Sequence, residues 1–122
     1  MMRLFDESKP IFQQVAETIC NDIISGVTPE GDQVPSTNEI AVFYRINPAT
    51  AGKGLNLLVD RGILYKKRGI GMFVAEGARK QLLMEREDAF THTQIKTFVS
   101  EAKSLGLDLE TVRRLIEKEY NS

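Results

Sequence analysis

One cysteine, Cys20, is present in 122 residues, so the chain can form neither an internal disulfide nor a multi-cysteine metal site. The single histidine, His92, lies in the polar stretch AFTHTQ without a cluster of other ligating side chains. It reads as a surface residue, and no metal or cofactor is expected. No apolar run approaches the roughly 18 residues needed to span a bilayer, which argues against a membrane partner. MMRLFDESKP carries charges where a signal peptide needs an apolar stretch, so a cytoplasmic location is expected. Paired titratable groups of an active site are also missing. Acid pairs such as Glu85 and Glu87 fall on a stretch that reads as helical scaffold, and no enzymatic activity is expected. No motif marks a pocket for a small-molecule effector.

What is present is an ordinary globular composition, 42% apolar and 27% charged. The length suits one domain, or a small domain with an added arm. The net charge of −1 argues, taken alone, against a nucleic-acid partner. Its distribution argues the other way. Residues 34–74 hold six basic groups (Arg45, Lys53, Arg61, Lys66, Lys67, Arg68) against Glu39 and Asp60, a net of +4. Residues 1–33 hold two basic and six acidic groups, and residues 75–122 hold eight and nine. A basic middle between acidic flanks can meet phosphates on one face of a near-neutral molecule.

The apolar spacing of Phe12, Val15, Ile19 and Ile23 predicts a helix over 10–25, begun by Pro10 and stopped by Gly26. Cys20 falls beside this stripe and reads as a small core residue. TPEGDQVP, 28–35, is turn chemistry. Ser36-Thr37-Asn38-Glu39 forms a capping box for a short helix with Ile40, Ala41 and one of Phe43 or Tyr44 facing inward. Asn47-Pro48 starts the next helix, over about 48–60. Two helices so closely joined have helix-turn-helix spacing, which an ordinary helical hairpin in a core shares. In the third helix Ala51, Leu55, Leu58 and Val59 form the inner stripe. Ala49, Thr50, Gly52, Lys53 and Asn56 fall on a surface with no acid and no bulky apolar group. A surface of that kind suits close approach to a groove lined with phosphates, where Thr and Asn bond bases or phosphates and Lys neutralises charge. On this reading Gly52 allows the backbone near DNA and Gly54 eases packing on a neighbouring helix. Alternatively, both are imperfections tolerated on a solvated face.

Gly62 ends this helix. ILYKKRGIGMFVAEG then reads as a hairpin, with Lys66-Lys67-Arg68 leading into the turn Gly69-Ile70-Gly71. Beside a helix-turn-helix such a hairpin is a wing, whose basic tip can follow the backbone or enter the minor groove. A Gly-x-Gly that cradles a nucleotide phosphate needs a following helix, whereas here a second strand follows. Residues 77–122 form a second unit. Ile95, Phe98, Val99, Ala102 and Leu105 make one helical stripe. Asp108 can cap a last helix carrying Leu109, Val112, Leu115 and Ile116. Two such helices cannot bury both apolar faces on each other, so a dimerisation arm is expected. Its interface is expected at Leu83, Phe90, Ile95, Phe98, Val99, Ala102, Leu105, Val112, Leu115 and Ile116.

IFQQVAETICNDIISG followed by VPSTNEIAVFYRINPATAGKGLNLLVDRGILYKKRGIGMFV resembles the winged-helix domain of the GntR family of bacterial transcription regulators over about residues 10–76. The motifs that carry the likeness are Pro35-Ser36, Asn47-Pro48-Ala49-Thr50 and Arg68-Gly69-x-Gly71-x-Phe73-Val74. The short tail is similar to the YtrA branch, in which two helices serve dimerisation. The resemblance implies a mainly α fold with a small β-hairpin, a winged helix-turn-helix over 1–76 and a two-helix dimerisation arm over 77–122. It implies a homodimer on double-stranded DNA, usually a repressor of a nearby operon, often one for an ABC transporter. By position, Ser36, Thr37 and Asn38 would meet phosphates. Asn47, Ala49, Thr50 and Lys53 would form the recognition helix's contact face, and Lys66, Lys67, Arg68, Gly69 and Gly71 the wing's. The chain departs from the family pattern at Asn38, where many members have Arg, and at Gly52, where many have a larger polar residue. The first change weakens a phosphate clamp and the second removes a base-reading side chain. The alternative is a winged helix used as a protein–protein interaction module, but a docking face of that kind would carry aromatic anchors.

Overall fold

The computed structural model describes residues 6–122. Met1–Phe5, the start of the expected 1–76 unit and of the charged N-terminal stretch, lie outside the described residues. Helix α1 spans Ile11–Ser25, α2 Thr37–Tyr44 and α3 Pro48–Asp60. Strands β1, Leu64–Lys67, and β2, Gly71–Val74, follow, and then α4, Ala78–Ala89. A π-helical turn, Phe90–Ile95, leads into α5, Lys96–Ser104, and α6 spans Leu109–Tyr120.

The helix boundaries are set by local chemistry. Gly26, at φ 87°, closes α1 with its N–H on the Ile23 carbonyl. At α2 both halves of the capping box form: Glu39 N–H donates to Ser36 Oγ at 3.1 Å, and Ser36 N–H donates to Glu39 Oε1 at 2.9 Å. The Ser36 backbone N–H, then its side chain, hold the Glu39 carboxyl below its ordinary pKa. On α6 the side chain and then the backbone N–H of Thr111 do the same for Asp108. A carboxyl lowered by folding contributes stability above its unfolded pKa, and that contribution is lost as pH falls through the folded value. Glu39→Gln is therefore expected to make acid melting of α2 shallower, as followed by circular dichroism between pH 6 and pH 2. An unchanged profile would remove the capping box from the account.

Between α2 and α3 the turn is three residues long. Arg45, at φ 56°, is the one described non-glycine residue with positive φ, and its N–H closes α2 on the Ala41 carbonyl. Asn47 Oδ1 accepts from Ala49 N–H at 2.8 Å and Pro48 takes the first helical position. Ala51, Leu55 and Leu58 are fully buried. α3 lies against α1 at Gly54. A Cβ there would sit 2.7 Å from the Phe12 carbonyl and 3.1 Å from Val15, so close helix packing is the reason for this glycine. Gly54→Ala is expected to destabilise the fold by about 1–3 kcal/mol, the usual cost of overpacking. At Gly52 a Cβ would be 3.6 Å from Thr37, ordinary contact, so Gly52→Ala is expected to stabilise α3 by about 0.5–1 kcal/mol. Thermal melts of the two variants should move in opposite directions. A shift of the same sign in both would contradict these contacts.

β1 and β2 pair antiparallel with Leu64 opposite Val74 and Lys67 opposite Gly71. Ile63, Leu64 and Val74 close the core beneath them. Residues 31–34, expected only as turn, run along the outer edge of β2. Gly31 N–H donates to Val74 O at 2.8 Å, Val74 N–H to Asp32 O at 2.9 Å and Val34 N–H to Met72 O at 2.9 Å. The described residues form two compact units, one ending at Leu83 and the other running from Met84 to Ser122. The expected boundary at 76/77 falls earlier than this division, because Ala78 and Leu82 are buried in the first core. α4 is also tied there by side chains. Glu30 accepts from the N–H groups of Gly77 (2.9 Å) and Arg79 (3.2 Å), and Arg79 Nε donates to Ile24 O at 2.9 Å.

Within the second unit Gly106, at φ 74°, ends α5 and Asp108 caps α6 through Thr111 N–H at 2.9 Å. Ala102 is buried there, and Leu107 and Val112 are half-buried. Phe98, Leu105, Leu115, Ile116 and Tyr120 are exposed. They border an apolar groove of about 420 Å³ between α5 and α6. No helix among the described residues is long and apolar enough to cross a membrane.

Candidate nucleic-acid interface

Three elements bring the expected contact residues to the surface of the first unit. At the start of α2, Ser36 is exposed, with its hydroxyl and N–H engaged in the capping box. Thr37 is half-buried beside Gly52, and Asn38 is exposed. Ser36, Thr37, Asn38, Lys66, Lys67, Gly69 and Gly71 all line one groove of about 350 Å³ between the start of α2 and the hairpin. A second, shallower cleft on α3 brings together Ala49, Gly52, Lys53 and Asn56, with Phe12 on one wall and Asp60 at its end. Asn47 and Thr50 line neither of these hollows. Asn47 is exposed with its amide oxygen spent on the helix cap, and Thr50 is half-buried.

Two cations are held by rings. Lys53 Nζ lies 4.1 Å from the centroid of Phe12, and Lys67 Nζ lies 4.6 Å from that of Phe73. Tyr65 and Phe73 stack at 5.8 Å on the same face of the hairpin as Lys67. Such contacts contribute about 0.5–1 kcal/mol at exposed sites and fix where an ammonium points. Ile70 N–H closes the hairpin on Lys67 O at 3.0 Å, with Arg68 and Gly69 at its corner. Gly69, at φ 78°, has the conformation a type II turn requires at its third position. Gly71 is not at the tip but opens β2. At φ 148° and against Gln33 it has neither the backbone conformation nor the space for a side chain.

Three features escaped sequence reasoning. Phe12 reads as core by its spacing, yet it is half-buried and supports Lys53. Gln33 reads as part of a turn, yet it pairs with Phe73 and its Nε2 donates to Ile70 O at 3.1 Å. On α2, Tyr44 packs on the core, whereas Val42 and Phe43 stay exposed beside Asn38 and Glu39. No local signal marks the first two, because both partners are distant in sequence. His92 is exposed, and its Nδ1 donates to Asp88 O at 2.8 Å.

A three-helix unit in which a short capped helix, a three-residue turn and a second helix precede a basic antiparallel hairpin is a winged helix-turn-helix, a DNA-binding fold. The family model described as "Bacterial regulatory proteins, gntR family" matches residues 11–74, and the chain belongs to that family of transcriptional regulators. It is 34% identical over 106 residues to the uncharacterized HTH-type transcriptional regulator YhcF of Bacillus subtilis, covering 87% of this chain and 86% of YhcF. To the HTH-type transcriptional repressor YtrA of the same organism it is 30% identical over 111 residues, covering 91% and 85%. Among solved structures, a GntR-family regulator from Bacteroides thetaiotaomicron superposes with a TM-score of 0.77 at 30% identity, covering 91% of this chain and 96% of that one. The DNA-binding domain of AraR, solved in complex with operator ORX1, superposes with a TM-score of 0.53 at 30% identity, covering 62% and 92%. The family and these relatives are regulators, not enzymes.

Proposed function

We propose that the chain is a homodimeric repressor that reads a pseudo-palindromic DNA operator near its own gene, through α3 and the hairpin of each copy. The observation that carries this reading is the convergence of Ser36, Thr37, Asn38, Lys66 and Lys67 on one groove beside the exposed face of α3. Hydroxyls, amides and ammonium groups at the start of α2 and along the wing suit phosphate contact. Thr50 and Lys53, on α3, supply hydrogen bonding and charge at the major groove. The AraR complex with its operator supports DNA as the partner of this fold. The repressor YtrA supports the sign of regulation and, with its length close to that of this chain, a short dimerisation tail.

The apolar groove between α5 and α6 supports the dimer. Phe98, Leu105, Leu115 and Ile116 leave more apolar surface exposed than a folded monomer ordinarily shows in one place. With two-fold symmetry the recognition helices would meet half-sites about one helical turn, roughly 10 bp, apart or a multiple of that. An ABC-transporter operon is the target expected from the family resemblance.

Nuclease footprinting of the DNA flanking the gene tests this function. The expected result is one protected, two-fold symmetric segment. No protection at protein concentrations that retain bulk DNA would overturn the operator. Thr50→Val is expected to change base preference in one half-site by about 1–3 kcal/mol while leaving the salt dependence alone. Selection from random duplexes reads that preference, and an unchanged consensus would remove Thr50 from base reading.

A further inference from the structure

Gln33 occupies the place of a missing side chain. It stands opposite Phe73 along the edge of β2, so its side chain shares a face with Phe73 and, diagonally, with Gly71. Gly71 has no Cβ, and one placed there would collide with the Gln33 amide. The amide instead reaches past Gly71 and donates to Ile70 O at 3.1 Å. Ile70 is the last residue of the turn that carries Arg68 and Gly69, closed by Ile70 N–H on Lys67 O. Three residues after Gln33 comes Ser36, the cap of α2. One exposed side chain therefore ties the tip of the hairpin to the segment that enters α2. The backbone bonds of Asp32 and Val34 to β2 hold the rest of that segment.

We propose that Gln33 is a positioning residue for DNA binding. It fixes the wing turn relative to the start of α2, so that Arg68 and the Ser36–Asn38 end meet the phosphate backbone as one preset pair. The inference rests on the DNA-binding reading above. Gln33 is itself exposed and contributes nothing to the core, so its loss should act on the interface and not on folding. Without the bond, the turn must be ordered at the moment of binding, which lowers affinity.

The test uses the full chain and a duplex recovered by the wild-type protein from a random-sequence library. Gln33→Leu keeps the bulk and removes the donor, and Gln33→Met serves if the leucine variant does not fold. Either is expected to weaken binding about tenfold and to reduce the slope of log K against log salt by about one contact. Thermal melting and dimer mass should be unchanged. Placed on Arg68→Ala, the same substitution should cost less than twofold, because the side chain it positions is gone. Wild-type affinity in Gln33→Leu while Arg68→Ala binds weakly would overturn the role of Gln33 alone. Multiplying effects in the double variant would overturn it too. No effect of Arg68→Ala would overturn the DNA-binding role of the wing on which the inference stands.

Discussion

Replacing both Lys53 and Arg68 with alanine is expected to lower operator affinity about 100-fold while leaving the dimer intact. Each side chain is exposed, so neither substitution opens a cavity. A charge-assisted contact to phosphate is worth about 1.4 kcal/mol or more, a factor of ten apiece. Each lost contact also spares one released counterion, so log K against log salt should become shallower by about two. The two residues are not equivalent. Lys53 is carried on α3 and braced by Phe12 at 4.1 Å, whereas Arg68 stands at the corner of the hairpin. Phe12→Leu should therefore reproduce part of the Lys53→Ala loss and add little to it. Fluorescence anisotropy at several salt concentrations reads all of this. Unchanged affinity in the double variant would reject the face assigned to DNA.

Ile116→Glu with Phe98→Arg is expected to dissociate the dimer and reduce operator affinity by about 10²–10⁴. Both positions line the groove between α5 and α6 and are exposed in the chain by itself. A charge placed at a buried apolar interface is desolvated without a partner, which costs several kcal/mol. One copy then binds one half-site and loses the advantage of being tethered to a second, a gain commonly of that size. Sedimentation should report a monomer whose circular dichroism is native-like. Operator binding that stays tight in a proven monomer would detach recognition from dimerisation.

Most of the first unit was legible in the sequence because its signals are local. Ser36 with Glu39, Asn47 with Pro48, and the Gly69–Gly71 turn each act within a few residues. Gly54 was legible for the same reason, since a glycine inside a helix with a clear inner stripe asks for a close neighbour. The missed features are long-range. Gln33 meets Ile70 across 37 positions, and Phe12 meets Lys53 from another helix. Neither pairing leaves a trace in periodicity. The 31–34 edge was hidden by its own Pro and Gly residues, which read as turn and leave one apolar residue, Val34, as a strand signal. Phe43 was ambiguous because an eight-residue helix is too short to separate inner from outer positions at its end. The domain boundary was read early because Glu76-Gly77 looks like a linker, whereas Glu30 and Arg79 tie the following helix to the first core.

Sequencing of genomic fragments retained by the purified protein tests the central claim most directly. The account predicts a short inverted repeat shared by the retained fragments, lying upstream of one or a few operons, with half-sites about 10 bp apart or a multiple of that. Fragments retained with no shared sequence, or none retained at low salt, would contradict it.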